Sequence, residues 1–230
     1  MQVPIGDVFN LAEIENLLAH EWAWVNSAPV VAPAGPAISI LPTPDHRNPG
    51  LSGHRPITRL HLASHGLAGD MACSMHALPI ETDSVQLIVV RHLFDALGSS
   101  DELESELMRV LAPGGALFVF GFNPASTWRL WWLRQAARGM RMPRWNSFSQ
   151  IRQRLSSINH VQSQHAYLGG SWPSASASDI LADGMRWHGA WSLIARKQRI
   201  AARPVDPHAR RRRVMLDPGL ARMSSRRVNL

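Results

Sequence analysis

The stretch Arg109-Val-Leu-Ala-Pro-Gly-Gly-Ala-Leu-Phe-Val-Phe-Gly-Phe-Asn-Pro124 holds a helix end, a buried strand and a sharp exit in succession. Pro-Gly-Gly stops the helix, because proline cannot continue one and glycine adopts the backbone conformations that close it. Ala116 to Phe120 is apolar without alternation, as in a strand covered on both faces. Asn123 then predicts a helix cap, with Pro124 at the first helical position, where a missing N–H does no harm.

Working outward, Ser99 to Leu111 has serines and then acidic residues at the positive end of a helix dipole. Leu103, Leu107, Val110 and Leu111 form its apolar stripe. Before it, Val85 to Val90 is a second buried strand, bounded by Asp83-Ser84. Further upstream the pattern predicts a helix over 8–25, with Phe9, Ile14, Leu17, Leu18, Trp22 and Val25 on one stripe. Strands follow over Ala37–Leu41 and Ile57–Ala63, joined by a loop from Pro42 to Pro56, and a weaker strand lies around Asp70–Cys73. Downstream come helices from Asn123 to about Arg138 and over Phe148–Ile158. Strands over Val161–Tyr167 and Trp191–Arg196 close the series, separated by a Ser/Ala-rich connection with a short helix near Asp179–Ala182. Alternating strands and helices imply an α/β fold: a Rossmann-like, doubly wound, mostly parallel seven-stranded sheet with helices on both faces.

The net charge of +7 is unevenly placed. Residues 196–230 hold eleven Lys or Arg against Asp206 and Asp217, a surplus of nine that leaves residues 1–195 at −2. The expected organisation is therefore one domain over residues 1–198 and a basic, Pro- and Arg-containing tail over 199–230. In that tail Arg210–Arg213 suits an anionic partner, RNA or a membrane surface, or else a solvated flexible segment. The single cysteine, Cys73, excludes an internal disulfide framework and an all-cysteine metal cage, so a reducing, cytoplasmic setting is expected. No apolar run approaches the roughly 20 residues of a membrane span, and no signal peptide is expected at the N-terminus. Asp70, Cys73, His76 and the other histidines lack metal-ligand spacing, so no metal is expected.

Leu78-Pro-Ile-Glu-Thr-Asp-Ser-Val-Gln-Leu-Ile-Val-Val-Arg-His-Leu-Phe-Asp95, followed by Glu106-Leu-Met-Arg-Val-Leu-Ala-Pro-Gly-Gly115, resembles the second half of the class I S-adenosylmethionine-dependent methyltransferases. That family carries an LP-x-x-x-x-S-x-D-x-V strand, an H-x-L-E-like exit and an E-x-x-R-V-L-x-P-G-G-x-L turn. The continuation Gly121-Phe-Asn-Pro-x-Ser-x-Trp128 and the final Trp191-to-Lys197 strand look like a small bacterial subgroup of it. The resemblance is close from Leu78 to Pro124 and extends to Lys197.

It implies S-adenosylmethionine as cofactor, a methyl-transfer activity, and binding at the carboxyl ends of the strands. The first half departs from the pattern. Ile38-Ser-Ile-Leu-Pro-Thr-Pro-Asp45 stands where the family has a glycine-rich turn, and Leu62-Ala-Ser-His65 lacks the acidic residue that takes the ribose hydroxyls. Ser74, with Met75 beside it, occupies a third position that is acidic in the family. A cofactor would then be held by Leu41, Pro42 and Thr43, by Ser64, and by Ser74 and Met75. Arg91 and His92 would stand near the transferable methyl group, and Asn123 and Trp128 near the acceptor.

Each residue also has a structural reading. In that reading His92 bonds a loop carbonyl, Asp95 (where the family often has Glu) serves a helix cap or a turn, and Asn123 caps a helix. Two functions stay open: a methyltransferase for a small or lipophilic acceptor, and a catalytically inactive relative that binds a protein, nucleic acid or membrane. The segment Thr127 to Arg138 mixes tryptophans with arginines. It suits either a helix lying on a membrane or covering a lipophilic substrate, or one that packs its tryptophans on the sheet and leaves its arginines in water.

Overall fold

The computed structural model describes residues 5–27, 33–44, 57–98, 100–158, 161–175 and 186–198, all within a compact unit spanning Met1–Arg199. Seven strands, β1 (Ala37–Leu41), β2 (Ile57–Ala63), β3 (Gly66–Gly69), β4 (Val85–Arg91), β5 (Leu111–Phe122), β6 (Val161–Leu168) and β7 (Ala190–Lys197), form one sheet. Their spatial order is β3-β2-β1-β4-β5-β7-β6. The helices are α1 (Ala12–Ser27), preceded by a 3-10 turn over Ile5–Asn10, then α2 (Leu93–Leu97), α3 (Asp101–Val110), α4 (Trp128–Ala137) and α5 (Phe148–Ile158). The predicted helix near Asp179–Ala182 and the basic tail lie outside the described residues.

The sheet is mixed rather than mostly parallel. β1 pairs in parallel with β2 and β4, and β4 with β5. β2–β3, β5–β7 and β6–β7 are antiparallel. Connection length explains the first of these. Only Ser64 and His65 separate β2 from β3, which allows a hairpin, whereas a parallel pair needs a crossover of a dozen or more residues. The strand expected around Asp70–Cys73 accordingly lies earlier, at Gly66–Gly69, and Cys73 contributes one isolated bridge to Leu67.

Alternation along the inner strands assigns the two faces. Ile38, Ile88, Leu117 and Ala195 stand in one row, and Ile40, Val90, Val119 and Leu193 in the next. Both rows share a core with Leu103 and Leu107 of α3 and Ile151 and Leu155 of α5. Leu87, Val89, Ala116, Phe118 and Ile194 point the other way, onto Trp22 and Val25 of α1. Helices thus cover both faces, as expected.

Local chemistry fixes the central elements. Ser100 caps α3 by accepting from Leu103 N at 3.3 Å. At the other end α3 passes directly into β5 at Leu111. Lys197, the chain's single lysine, collects that helix end. Its Nζ donates to Met108 O at 2.6 Å, to Leu111 O at 2.8 Å and to Asp83 Oδ1 at 2.6 Å, a cation where helix carbonyls and dipole favour one. The Glu106/Arg109 pair acts similarly. Arg109 makes two bonds to the Glu106 carboxylate, at 2.9 and 2.8 Å, and reaches Leu78 O and Ile80 O. Leu78 N donates back to Glu106 Oε2 at 2.9 Å.

Beyond β5, Gly121 lies against the ring of Trp191, and Gly189 against the ring of Trp128. A Cβ at Gly189 would overlap that indole, so Gly189→Ala is expected to destabilise the fold by about 1–3 kcal/mol. Urea denaturation measures this directly; stability equal to the parent would mean that the indole is not seated there.

Candidate functional site at the carboxyl end of the sheet

β1 and β4 are neighbours, yet the connection leaving β1 runs outward to β2 and the one leaving β4 runs the opposite way to β5. In open α/β sheets the crevice beyond the strand ends at such a switch point is where ligands bind. Leu41 ends β1, followed by buried Pro42 and half-buried Thr43. Ile40 is level with Val90, which places Leu41 and Pro42 beside Arg91 and His92 at the end of β4. On the other side Leu41 is level with His61, so Thr43 stands near the β2–β3 turn that carries exposed Ser64.

The structure therefore brings Leu41, Pro42, Thr43, Ser64, Arg91 and His92 to one end of three adjacent strands. Ser74 and Met75 stand outside these three strands. Cys73 bridges to β3, the edge strand, and the Ser74 backbone abuts Gly66 at the start of β3, two residues after Ser64. Ser74 Oγ accepts from His76 N at 3.2 Å, and Met75 packs against the core.

His92 is the centre of the site, and it is fully buried. Its φ of 53° is left-handed, which turns the chain from β4 into α2. Both ring nitrogens are engaged: Nε2 lies 2.8 Å from Glu21 Oε1 of α1, and Nδ1 lies 2.9 Å from Asp95 Oδ2 of α2. The same Asp95 oxygen accepts from Phe122 N, at the end of β5, at 2.9 Å. Phe122 stacks on the imidazole with ring centroids 4.0 Å apart, and Phe9 approaches to 5.7 Å. Beside it Arg91, 2% exposed, places its guanidinium 4.8 Å from the Trp22 ring.

Burial, the largest single influence on His92, disfavours its cation. The charges and hydrogen bonds of Glu21 and Asp95 together override it and raise the pKa to about 9. Burial lifts the Asp95 carboxyl above the usual range, against the pull of His92 and the Phe122 N–H. Glu21 Oε2 and Asp95 Oδ1 are buried without a hydrogen-bond partner among the described residues.

The predicted acceptor contacts are spent on the scaffold. Asn123 Nδ2 donates to Arg186 O at 2.7 Å and to His188 O at 2.9 Å, and Oδ1 accepts from Ala125 N at 3.0 Å. The expected cap on a helix beginning at Pro124 is not formed. The side chain is drawn across to the approach to β7, residues 123–126 make a turn, and α4 begins only at Trp128. Trp128 is buried, with Nε1 donating to Gly170 O at 2.9 Å. One edge of it lines a small hollow of about 20 Å³ with Glu13, His20 and Trp172.

Two parts of this site escaped the sequence reading, α2 and Glu21. Glu21 did leave a signal: it occupies a core position of the stripe Ile14, Leu17, Glu21, Val25, where a carboxylate needs a buried partner. Arg210–Arg213 lie outside the described residues. Among the described residues no group of His, Cys, Asp and Glu could hold a metal. None of the helices searched there is long and apolar enough to cross a membrane.

No family model matches the sequence, and neither does any curated protein. Solved structures do match. An S-adenosylmethionine-dependent methyltransferase of Thermotoga maritima superimposes with a TM-score of 0.53 at 12% identity, over 84% of this chain and 99% of its own. A Listeria monocytogenes protein assigned to the same class gives a TM-score of 0.52 at 12% identity, over 79% of this chain and all of its own. The fold is that of the class I S-adenosylmethionine-dependent methyltransferases. At such identity the likeness speaks to the methyltransferase fold alone.

The buried histidine makes stability depend on pH in a definite direction. A histidine whose folded pKa lies above its unfolded value contributes stability that is complete below pH 6.5 and lost as pH rises through about 9. A rise from 6.5 to about 9 corresponds to a loss on the order of 3 kcal/mol. Glu21→Gln should move that loss to lower pH. Denaturation from pH 6 to 10 tests both, and a flat profile in both proteins would exclude a charged His92.

Proposed function

We propose that this protein is an S-adenosylmethionine-dependent methyltransferase acting on a small or lipophilic acceptor. The observation that carries the reading is the coincidence of two independent features at one place. The switch point of a methyltransferase-type strand order falls where the chain has buried a histidine between two carboxylates in an apolar layer. Such a network is costly to desolvate, and perturbed titratable groups of this kind gather at functional sites.

The donor set suits the cofactor by substitution. Thr43 and Ser64 have hydroxyls without a partner among the described residues, on neighbouring strand ends where the family would place a glycine turn and an acidic residue. Glu21 Oε2, buried beside His92 without a partner among the described residues, leaves one acceptor to spare at this place. When bound, the cofactor would supply a methyl group on a sulfonium centre. The residues of this chain would hold and align it, since such transfer depends on positioning more than on an acid–base pair. The inward-facing aromatic layer of Phe9, Phe122 and Trp128 would keep water away.

A second reading rests on Pro42 and Pro44. Two residues without an N–H stand at the end of β1, and they favour a protein that has kept the fold and lost the cofactor.

Calorimetric titration with S-adenosylmethionine and S-adenosylhomocysteine distinguishes the two. Saturable binding is expected, with Thr43→Val weakening it about fivefold, the equivalent of roughly 1 kcal/mol for one hydrogen bond. Neither heat nor thermal stabilisation at millimolar cofactor would overturn the first reading and leave the second.

A further inference from the structure

The tryptophan helix α4 turns its indoles inward. Trp128, Trp131 and Trp132 are 2%, 5% and 0% exposed and pack around Phe122, so the arrangement with tryptophans on the fold and arginines in water is the one found. The opposite face has no cover among the described residues. At about 100° per residue, Leu130, Leu133 and Ala137 fall along the middle of that face, and Arg129 and Arg134 fall on its two flanks. Both leucines are 57% exposed. Each flanking arginine leans on an aromatic ring: Arg129 lies 5.9 Å from Trp145, and Arg134 lies 5.5 Å from Trp172, which is itself 41% exposed. No carboxylate of the described residues pairs with either arginine. The charge along this segment of the chain is of one sign, because the sequence has no Asp or Glu between Glu106 and Asp179, while Arg138, Arg141 and Arg144 follow on it; Glu13 of α1 lines the hollow beside Trp172.

We propose that this face of α4, with Trp172, docks the protein on an anionic phospholipid bilayer. A ridge of aliphatic side chains flanked by arginines suits the boundary between acyl chains and headgroups. The leucines would enter the apolar layer, and the guanidinium groups would meet phosphates at the level of the tryptophan. The charge selects acidic lipid, since each cation near such a surface adds to the attraction. The ridge argues against RNA, which offers phosphates and stacking bases to a binding surface but nothing that covers two leucines. α4 follows β5 at its carboxyl end, the same end of the sheet as the candidate site. Docking there would bring that site to the membrane, where a lipophilic acceptor resides. The inference goes beyond the proposed activity and does not depend on cofactor binding.

The test is cosedimentation of the full chain with vesicles of phosphatidylcholine, alone or with one part in three of phosphatidylglycerol, at low and high salt and without cofactor. Binding is expected to the acidic vesicles only and to weaken with salt. Leu130→Asp/Leu133→Asp alters only exposed side chains, so its melting temperature should match the parent's. Its partition coefficient should fall about tenfold or more, since burying even one leucine accounts for a factor of that size. Arg129→Glu/Arg134→Glu should lose the preference for acidic lipid. Equal binding by the leucine variant and the parent would assign the attraction to the basic tail and overturn the proposal. Absence of binding would do the same, as would binding of the parent to a single-stranded RNA in preference to the vesicles.

Discussion

Everything at the carboxyl end of the sheet depends on one side chain, His92, held between Glu21 and Asp95. The imidazole has two ring nitrogens and each meets a carboxylate from a different helix, so a single residue ties α1 and α2 to the end of β4. Asp95 carries the tie to the end of β5 through the Phe122 amide. The arrangement is demanding. Removing one partner would leave a charge in an apolar layer, and the penalty for that exceeds what the intact set contributes. The left-handed φ of His92 belongs to the same constraint, since it aims Nδ1 back at a carboxylate three residues ahead.

The residues that recommended Asn123 and Trp128 as acceptor contacts are the ones that seal the far end of the site. Asn123 spends its amide on carbonyls of the segment entering β7, and Trp128 fills the space that Gly189 leaves open. The polar groups of the site thus come from Glu21 of α1, from Arg91 and His92 at the end of β4, from Asp95 of α2, and from the hydroxyls of Thr43 and Ser64. The helix that follows β5 contributes a wall on its inner face and an unclaimed ridge on its outer one.

Much of the fold was readable because its elements obey local rules. β1, β2 and α5 lie where periodicity and turn residues place them, and β4 and α3 differ by a residue or two. The clearest family-like motif, the Glu106/Arg109 pair before Pro-Gly-Gly, proves to be a clamp on residues 78–82. The pair was legible because it serves the scaffold; residues 38–45, which depart from the family-like pattern, take no part in that clamp. Strand direction was less legible. A two-residue connection decided the orientation of β3, and the placement of the strand four residues too late hid how short that connection was. The site was legible in position but not in composition, because Glu21 is distant in sequence from His92 and carries no motif.

The position of β7 constrains how the molecule is made. β6 precedes β7 in the chain, yet it touches the sheet only through β7, which lies between β5 and β6. Until the last strand is synthesised, β6 has no place to dock. The outer edge of β5 stays open meanwhile, offering the backbone of Ala116–Phe122 and apolar side chains on both faces. An open, apolar edge is a template for pairing with other chains. The molecule is therefore most exposed to misassembly during its own synthesis, in the interval before residues 190–197 arrive, rather than in its finished state.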